Sequence, residues 1–233
     1  MKKLLKFLLR LLGLHKEIAA GNKVSLSSKQ QQQMLTITKV YEQQHSKVYG
    51  EVDQIKDRIV SLSKPYIRPI VRGKENKAVE FGAKVNKLQV DGISFIEHFS
   101  YDAFNEGTRL QKCISLHQQL FGKCSHHSAD KIYATNANRT YCKTSGITTN
   151  FVPKGRQKEH HVEQSKTMRA VLDKERGTRL EGSFGNEKNH YLLHKVNARN
   201  AITEKCWIFF GMMTANASIM TKRREKAKIK KAA

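Results

Sequence analysis

The chain has 233 residues, enough for one sizeable domain with appendages, and carries 43 Lys plus Arg against 20 Asp plus Glu. The resulting formal charge of +23 implies that the protein has an anionic partner. Nucleic acid fits that charge better than an acidic membrane surface does. The positive charge is spread along the chain, which favours a long binding surface over a single basic arm.

Two helices are expected before residue 50. Residues 1–20 are apolar but are interrupted by Lys6 and Arg10, so neither a signal peptide nor a membrane span is expected there. We interpret this segment as a helix that packs on a domain outside the chain, with a membrane-surface helix as the weaker alternative. Apolar residues at helical spacing predict a second helix over residues 29–48.

An extended segment follows these helices. The alternation over residues 53–62 predicts a first strand, which carries Asp57. Pro65 and Pro69 forbid a helix after it. This extended stretch carries four cations that can face phosphates: Lys64, Arg68, Arg72 and Lys74.

A β-hairpin comes next in the predicted order. Alternating residues 79–90 and 93–99 flank Asp91-Gly92, a strong two-residue turn signal. Asp91 is therefore expected to serve the turn. Asp102 is expected to cap a helix that begins near Asn105 and ends at Gly122.

The second half alternates short strands with helices. Strands are predicted around residues 125–130 and 147–152, and Thr135 is expected to cap a helix between them that Gly146 closes. A long helical region then carries Glu181, and a buried helix is predicted over residues 202–213. The basic segment 222–233 is expected to be a disordered tail.

This order predicts an α/β fold, namely a ribonuclease-H-like mixed sheet flanked by helices. The expected organisation is an N-terminal helical segment over residues 1–50, the sheet domain over residues 51–221, and the tail over residues 222–233. Asp57 and Asp130 would then lie on neighbouring strands, and the late helix would bring Glu181 to them.

Three converging carboxylates would repel one another unless divalent cations neutralised them. Hard oxygen ligands select Mg²⁺ or Mn²⁺. Two such ions could activate the attacking oxygen and stabilise the leaving oxygen of a phosphoryl transfer. On the late helix, spacing puts Glu181, Phe184 and Lys188 on one face. The alternative is a solvated helix with an exposed Glu and Lys.

The four cysteines, Cys113, Cys124, Cys142 and Cys206, include no C-x-x-C pair. We expect reduced thiols of a cytoplasmic protein. A zinc site at Cys124 with the adjacent His126 and His127 is disfavoured, because no second ligand pair has zinc-site spacing.

Five groups of residues occur together in this chain: 57–62 with 68–74, 79–84, 103–106, 129–133 with Asn138-Arg139, and 181–185 with Lys188 and Tyr191. Taken together, they resemble the DDE transposases of bacterial insertion sequences, over about residues 29–220. The resemblance implies a catalytic and metal-binding triad of Asp57, Asp130 and Glu181, with Asp53 as an alternative to Asp57. It also implies that Lys188 contacts DNA near the transposon end.

The resemblance implies metal-dependent cleavage of transposon ends and strand transfer into target DNA, with two Mg²⁺ or Mn²⁺ ions. The expected partners are the transposon ends and the target DNA, with a homo-oligomer at full length, no membrane, and a place in the bacterial cytoplasm at the nucleoid. Beside Lys188, the expected DNA-binding cations are Arg68, Arg72, Lys74, Lys84 and Arg179.

The chain departs from the family pattern in two places. Gly177 stands where an arginine often precedes the glutamate, with Arg176 and Arg179 on either side. The usual N-terminal DNA-binding and dimerisation region is also not found. The alternative function is therefore a truncated, catalytically inactive transposase that only binds DNA.

Overall fold

The computed structural model describes residues 1–21, 25–50, 52–74, 77–155 and 159–232, with the backbone alone for residues 72–74, 77, 78, 159–161 and 232. The chain forms two compact units. The first contains Met1–Ala83 and Tyr101–Ala103, and the second contains Lys84–Ser100 and Phe104–Ala233. These units have other boundaries than the predicted segments 1–50, 51–221 and 222–233, and that domain division stays a prediction.

The first unit begins with two helices, α1 (Lys2–Gly21) and α2 (Ser28–Tyr49), which pack on each other. Both helices were predicted, and both are confirmed. Helix α2 starts at a capping box. The Gln30 N–H donates to Ser27 Oγ at 3.4 Å, and the Ser27 N–H donates to Gln30 Oε1 at 3.0 Å.

The strand predicted over residues 53–62 is wrong, because Lys56 and Asp57 form a turn. Asp57 has a φ of 54°, which a strand residue does not adopt. The Gln43 side chain of α2 takes the backbone groups that a strand would pair. It donates to the Asp57 carbonyl at 3.2 Å and accepts from the Ile59 N–H at 3.0 Å. After this turn, β1 (Pro69–Lys74) pairs antiparallel with β2 (Lys77–Phe81).

The second unit opens with the predicted hairpin, which is confirmed. Strands β3 (Lys84–Val90) and β4 (Ile93–Ser100) pair antiparallel, and Val90 lies opposite Ile93. Asp91 and Gly92 have φ values of 47° and 77°, as a two-residue hairpin turn of this type requires.

Helices α3 (Leu110–Phe121) and α4 (Asn136–Thr144) enclose the core with two very short parallel strands, β5 (His126–His127) and β6 (Thr148–Thr149). The core residues are Leu110, Ile114, Cys124, Ala129, Cys142, Ile147 and Phe151. Thr135 caps α4 as predicted, since its side chain accepts from the Asn138 N–H. The cap predicted at Asp102 is wrong. The Asn105 side chain instead caps the 3₁₀ turn Glu106–Arg109 that leads into α3.

The chain is therefore a mixture of helices and small sheets, as the α/β prediction requires. Among the described residues the strands form three two-stranded sheets. The single ribonuclease-H-like sheet stays a proposal. The strand predicted to end at Asp130 is wrong in its extent, because β5 ends at His127.

The last part of the chain is helical. Helix α5 (Glu159–Glu175) continues through a π-helical segment (Arg176–Glu181) into α6 (Gly182–His190), and α7 spans Ala201–Ala232. Helix α7 includes residues 222–232, where a disordered tail was expected; residue 233 lies outside the described residues. In the described part of the chain, no helix is both long and apolar enough to cross a membrane.

A buried ion pair fixes the hairpin to α6. Lys87 Nζ lies 3.0 Å from Glu187 Oε1, and the two side chains are 1% and 6% exposed. The ammonium also donates to Ser183 Oγ at 2.7 Å and lies 3.7 Å from the centre of the Phe184 ring. Burial lowers the pKa of Lys87, and Glu187 opposes that shift.

Helix α7 joins the same cluster through Asn216. Its side chain accepts from the Ser94 N–H at 2.9 Å and donates to the Ser94 carbonyl at 2.8 Å. Ser94 Oγ in turn donates to Glu187 at 3.2 Å. The hairpin, α6 and α7 are thus connected by buried polar contacts.

Replacing Glu187 by Ala should lower the free energy of unfolding by about 3–5 kcal/mol, because Lys87 is then buried without its counter-charge. The apolar double variant Lys87→Met/Glu187→Leu should lose less. Urea unfolding at neutral pH measures both, with the exposed Glu225→Ala as the matched control. Equal stability of Glu187→Ala and Glu225→Ala would contradict this account.

His127 gives the fold a dependence on acid. Burial, with a smaller contribution from His117, lowers the pKa of His127 to about 4. In the unfolded chain a histidine titrates near about 6.5, so the unfolded state binds the proton first as the pH falls. The free energy of unfolding should therefore fall between about pH 6.5 and pH 4 by roughly 2 kcal/mol more in the parent than in His127→Asn. Parallel curves of unfolding free energy against pH for the two proteins would refute this.

Candidate active site

Asp130 lies just beyond the short parallel sheet and begins the 3₁₀ turn Lys131–Tyr133. Its Oδ1 accepts from the Lys131 N–H at 2.6 Å, and the residue is exposed. The preceding Ala129 is buried in the core. The core therefore anchors the backbone while the carboxylate faces solvent, where a cation or a substrate has access to it.

Asn150 holds the backbone beside Asp130 in place. It follows β6 directly, and Asp130 comes three residues after the end of β5, which runs parallel to β6. Its side chain accepts from the Ala129 N–H at 3.0 Å and donates to the Ala129 carbonyl at 2.9 Å. It also donates to Asp173 Oδ1 on α5 at 2.7 Å.

The helix that leads to Glu181 packs against this same edge. Ser128 Oγ donates to the Leu172 carbonyl at 2.9 Å, next to the contact between Asn150 and Asp173. Glu181 follows Asp173 by eight residues on the same helical run, which is roughly 12 Å along the axis. The structure thus brings the loop before Asp130 into contact with the helix that leads to Glu181.

Glu181 ends the π-helical segment, a type of distortion that is frequent at functional sites. Its side chain is 57% exposed and pairs with Arg176 at 2.8 Å. Arg176 is one of the two arginines that flank Gly177. Lys188 is also exposed and lies seven residues after Glu181. This spacing places both on one helix face, as predicted.

Asp57, the third predicted carboxylate, is exposed and lies in the first unit, whereas Asp130 and Glu181 lie in the second. The meeting of the three therefore stays a prediction. Among the described residues, no three His, Cys, Asp or Glu side chains are grouped so that they could hold a metal ion. The chemistry of the donors nevertheless fits Mg²⁺ or Mn²⁺, since the exposed carboxylates supply hard oxygens.

The other predicted DNA-binding cations have different surroundings. Lys84 donates to the Phe104 carbonyl at 2.8 Å and pairs with Glu106 at 2.9 Å. Arg68 donates to the Pro65 carbonyl at 2.5 Å. Arg72 and Lys74 lie on β1, and their side chains are outside the described part of the chain.

Arg179 contacts two carboxylates, Glu175 at 2.6 Å and Asp91 at 2.9 Å.

The sequence did not predict the residues that support the site, above all Asn150 and Asp173. An asparagine after a short strand is a weak sign of this role, because its contacts join residues more than 20 positions apart.

The comparison with protein families gives one finding for the second unit. Residues 128–217 match the family described as Transposase DDE domain. The match includes Asp130, Arg179, Glu181 and Lys188, and it confirms the resemblance to the DDE transposases. Such a domain implies an enzyme of the transposition-related nuclease type that binds DNA and generally uses divalent metal ions. Searches of curated proteins and of solved structures returned no match.

Replacing Asn150 by Ala should lower the free energy of unfolding by about 2–3 kcal/mol, because the Ala129 N–H and carbonyl lose their side-chain partner. Urea unfolding measures the loss. The matched control is Asn189→Ala on the exposed side of α6, for which a change within about 0.5 kcal/mol is expected. If the two variants are equally stable, Asn150 does not hold the Asp130 segment.

Proposed function

We propose that this protein is a DNA transposase of the bacterial insertion-sequence type, which cleaves transposon ends and joins them to target DNA. The observation that carries the proposal is the transposase DDE match over the segment that contains both Asp130 and Glu181. The charge of +23 supports it, because cleavage and joining both require a tightly held polyanion.

Asp57, Asp130 and Glu181 are the proposed ligands of two Mg²⁺ or Mn²⁺ ions, with Asp53 as the alternative to Asp57. When bound, such ions neutralise the charge that develops on the phosphate and activate the attacking oxygen. In the first reaction, water attacks a phosphodiester at the transposon end and releases a 3′-hydroxyl. That hydroxyl then attacks the phosphorus of a phosphodiester in the target DNA. The bond from this phosphorus to its own 3′-oxygen breaks, and the target strand leaves with a 3′-hydroxyl.

The cations of the chain are proposed to hold the DNA on either side of the reacting phosphate. Lys188 is best placed, since it is exposed two helical turns from Glu181. The same role is proposed for Arg68, Arg72, Lys74, Lys84 and Arg179, although Lys84 already has an internal partner in Glu106. A homo-oligomer at the bacterial nucleoid belongs to the same proposal.

The variants Glu181→Gln and Asp130→Asn test the active site without changing side-chain volume. With Mn²⁺ or Mg²⁺ and DNA that carries the transposon ends, each should lower the rate of nicking by at least about 100-fold, because a metal-binding carboxylate is lost. The matched control is Glu163→Gln, an exposed glutamate on α5, which should nick as fast as the parent.

Nicking by Glu181→Gln at the parent rate would show that the assignment is wrong.

The second candidate function is DNA binding without catalysis. It is favoured by the absence of a three-carboxylate group among the described residues. Salt-sensitive binding by the parent with no metal-dependent product would support that candidate, and any metal-dependent product would exclude it.

A further inference from the structure

A cavity of about 350 Å³ that is widely open to solvent lies in the second unit at the tip of the hairpin between β3 and β4. The turn Asp91-Gly92 forms one side of it, Arg179 and α6 form the second side, and Arg223 on α7 forms the third. All of these elements belong to the same compact unit. The cavity is distinct from the surroundings of Asp130.

Two arginines from different elements converge on one carboxylate at this cavity. Arg179 Nη1 donates to Asp91 Oδ1 at 2.9 Å, and Arg223 Nη1 donates to Asp91 Oδ2 at 3.0 Å. Arg223 Nη2 also donates to the Asp91 carbonyl at 2.5 Å. Each carboxylate oxygen thus has its own guanidinium, which is the arrangement that arginines also offer to two oxygens of a phosphate.

We propose that this cavity binds a phosphate of the DNA backbone, and that the Asp91 carboxylate takes the place of that phosphate in the DNA-free protein. The proposal rests on the proposed function only in taking DNA as the partner. DNA then displaces Asp91 from Arg179 and Arg223, and both arginines contact the backbone.

The exposure of the three side chains makes this exchange feasible. Asp91 is 68% exposed, and Arg179 and Arg223 are 50% and 45% exposed. Ion pairs between exposed side chains contribute little net stability. A DNA phosphate, by contrast, also releases condensed counterions when a cation neutralises it. The balance therefore favours the phosphate when DNA is present.

The surroundings of Arg223 favour a DNA backbone over a free anion. Residues 222–232 of α7 carry seven cationic side chains and one carboxylate, that of Glu225. The side chains of 222–231 are exposed. A helix of this kind can contact several successive phosphates of a DNA backbone, whereas a free phosphate ion would contact only one or two of these cations.

The substitution Asp91→Asn tests the competition without disturbing the turn. Asp91 has a positive φ of 47°, and Gly92 follows it at 77°. Asn-Gly is the favoured pair for this hairpin turn, so the variant should fold as the parent does, which circular dichroism and urea unfolding check. Glu225→Gln is the matched control, because it makes the same charge change two residues from Arg223 without touching the ion pair.

Binding of a short mixed-sequence duplex to the full chain, followed by fluorescence anisotropy without divalent metal, gives the affinities. We expect Asp91→Asn to bind about fivefold more tightly than the parent, and Glu225→Gln to gain clearly less. The slope of log K against log salt should stay near the parent value for Asp91→Asn, because both proteins make the same phosphate contacts in the complex, and it should fall by about one for Arg223→Ala. The gain from Asp91→Asn should be smaller in the background of Arg223→Ala, and it should disappear in the background of Arg179→Ala/Arg223→Ala, where neither partner of Asp91 remains.

Equal gains for Asp91→Asn and Glu225→Gln would overturn the proposal, because the effect would then be one of net charge. A gain that persists in Arg179→Ala/Arg223→Ala would overturn it too. If inorganic phosphate alone binds Asp91→Asn by calorimetry while DNA affinity stays at the parent value, the site serves free phosphate and not DNA. Because binding is measured without metal, nicking by Glu181→Gln at the parent rate would remove the proposed active site and leave this phosphate site standing.

Discussion

The buried ion pair between Lys87 and Glu187 is the contact on which the second unit depends most. Each charge is nearly inaccessible to water and would be very unfavourable there without the other. Glu187 lies six residues after Glu181 and directly before Lys188. Because the pair fixes which face of α6 points inward, it also fixes the outward direction of Lys188. The proposed DNA contact of Lys188 therefore depends on a buried salt bridge.

The exposed carboxylates near this helix are held by arginines. Glu181 pairs with Arg176, and Asp91 pairs with Arg179 and Arg223. Arg176, Arg179 and Glu181 all belong to one π-helical segment. In a chain of charge +23, these carboxylates neutralise part of the positive charge of the arginines while no DNA is bound. The segment thus connects the proposed metal-binding carboxylate to the proposed phosphate site.

Two features encoded by neighbouring residues were predicted correctly. The hairpin turn at Asp91-Gly92 and the cap at Thr135 were found because turn and cap chemistry depends on a few adjacent residues. The strand predicted over residues 53–62 is wrong because the alternation of apolar and polar residues does not depend on Gln43. The Gln43 amide on α2 binds the backbone groups that a strand would pair. For the candidate site, the predicted carboxylates Asp130 and Glu181 both lie in the segment that matches the family, and their catalytic role stays a prediction.

The sequence by itself determined the charge, helices α1 and α2, the hairpin and the resemblance to the DDE transposases, since these depend on composition and on short-range patterns. Only the tertiary structure decided that Lys87 meets Glu187, that Asn150 holds Ala129, and that Arg223 meets Asp91. The partners Lys87 and Glu187 are 100 positions apart, and Arg223 and Asp91 are 132 apart. Contacts of this kind exist only after the chain has closed long loops, and no local pattern of residues specifies which distant group will be the partner.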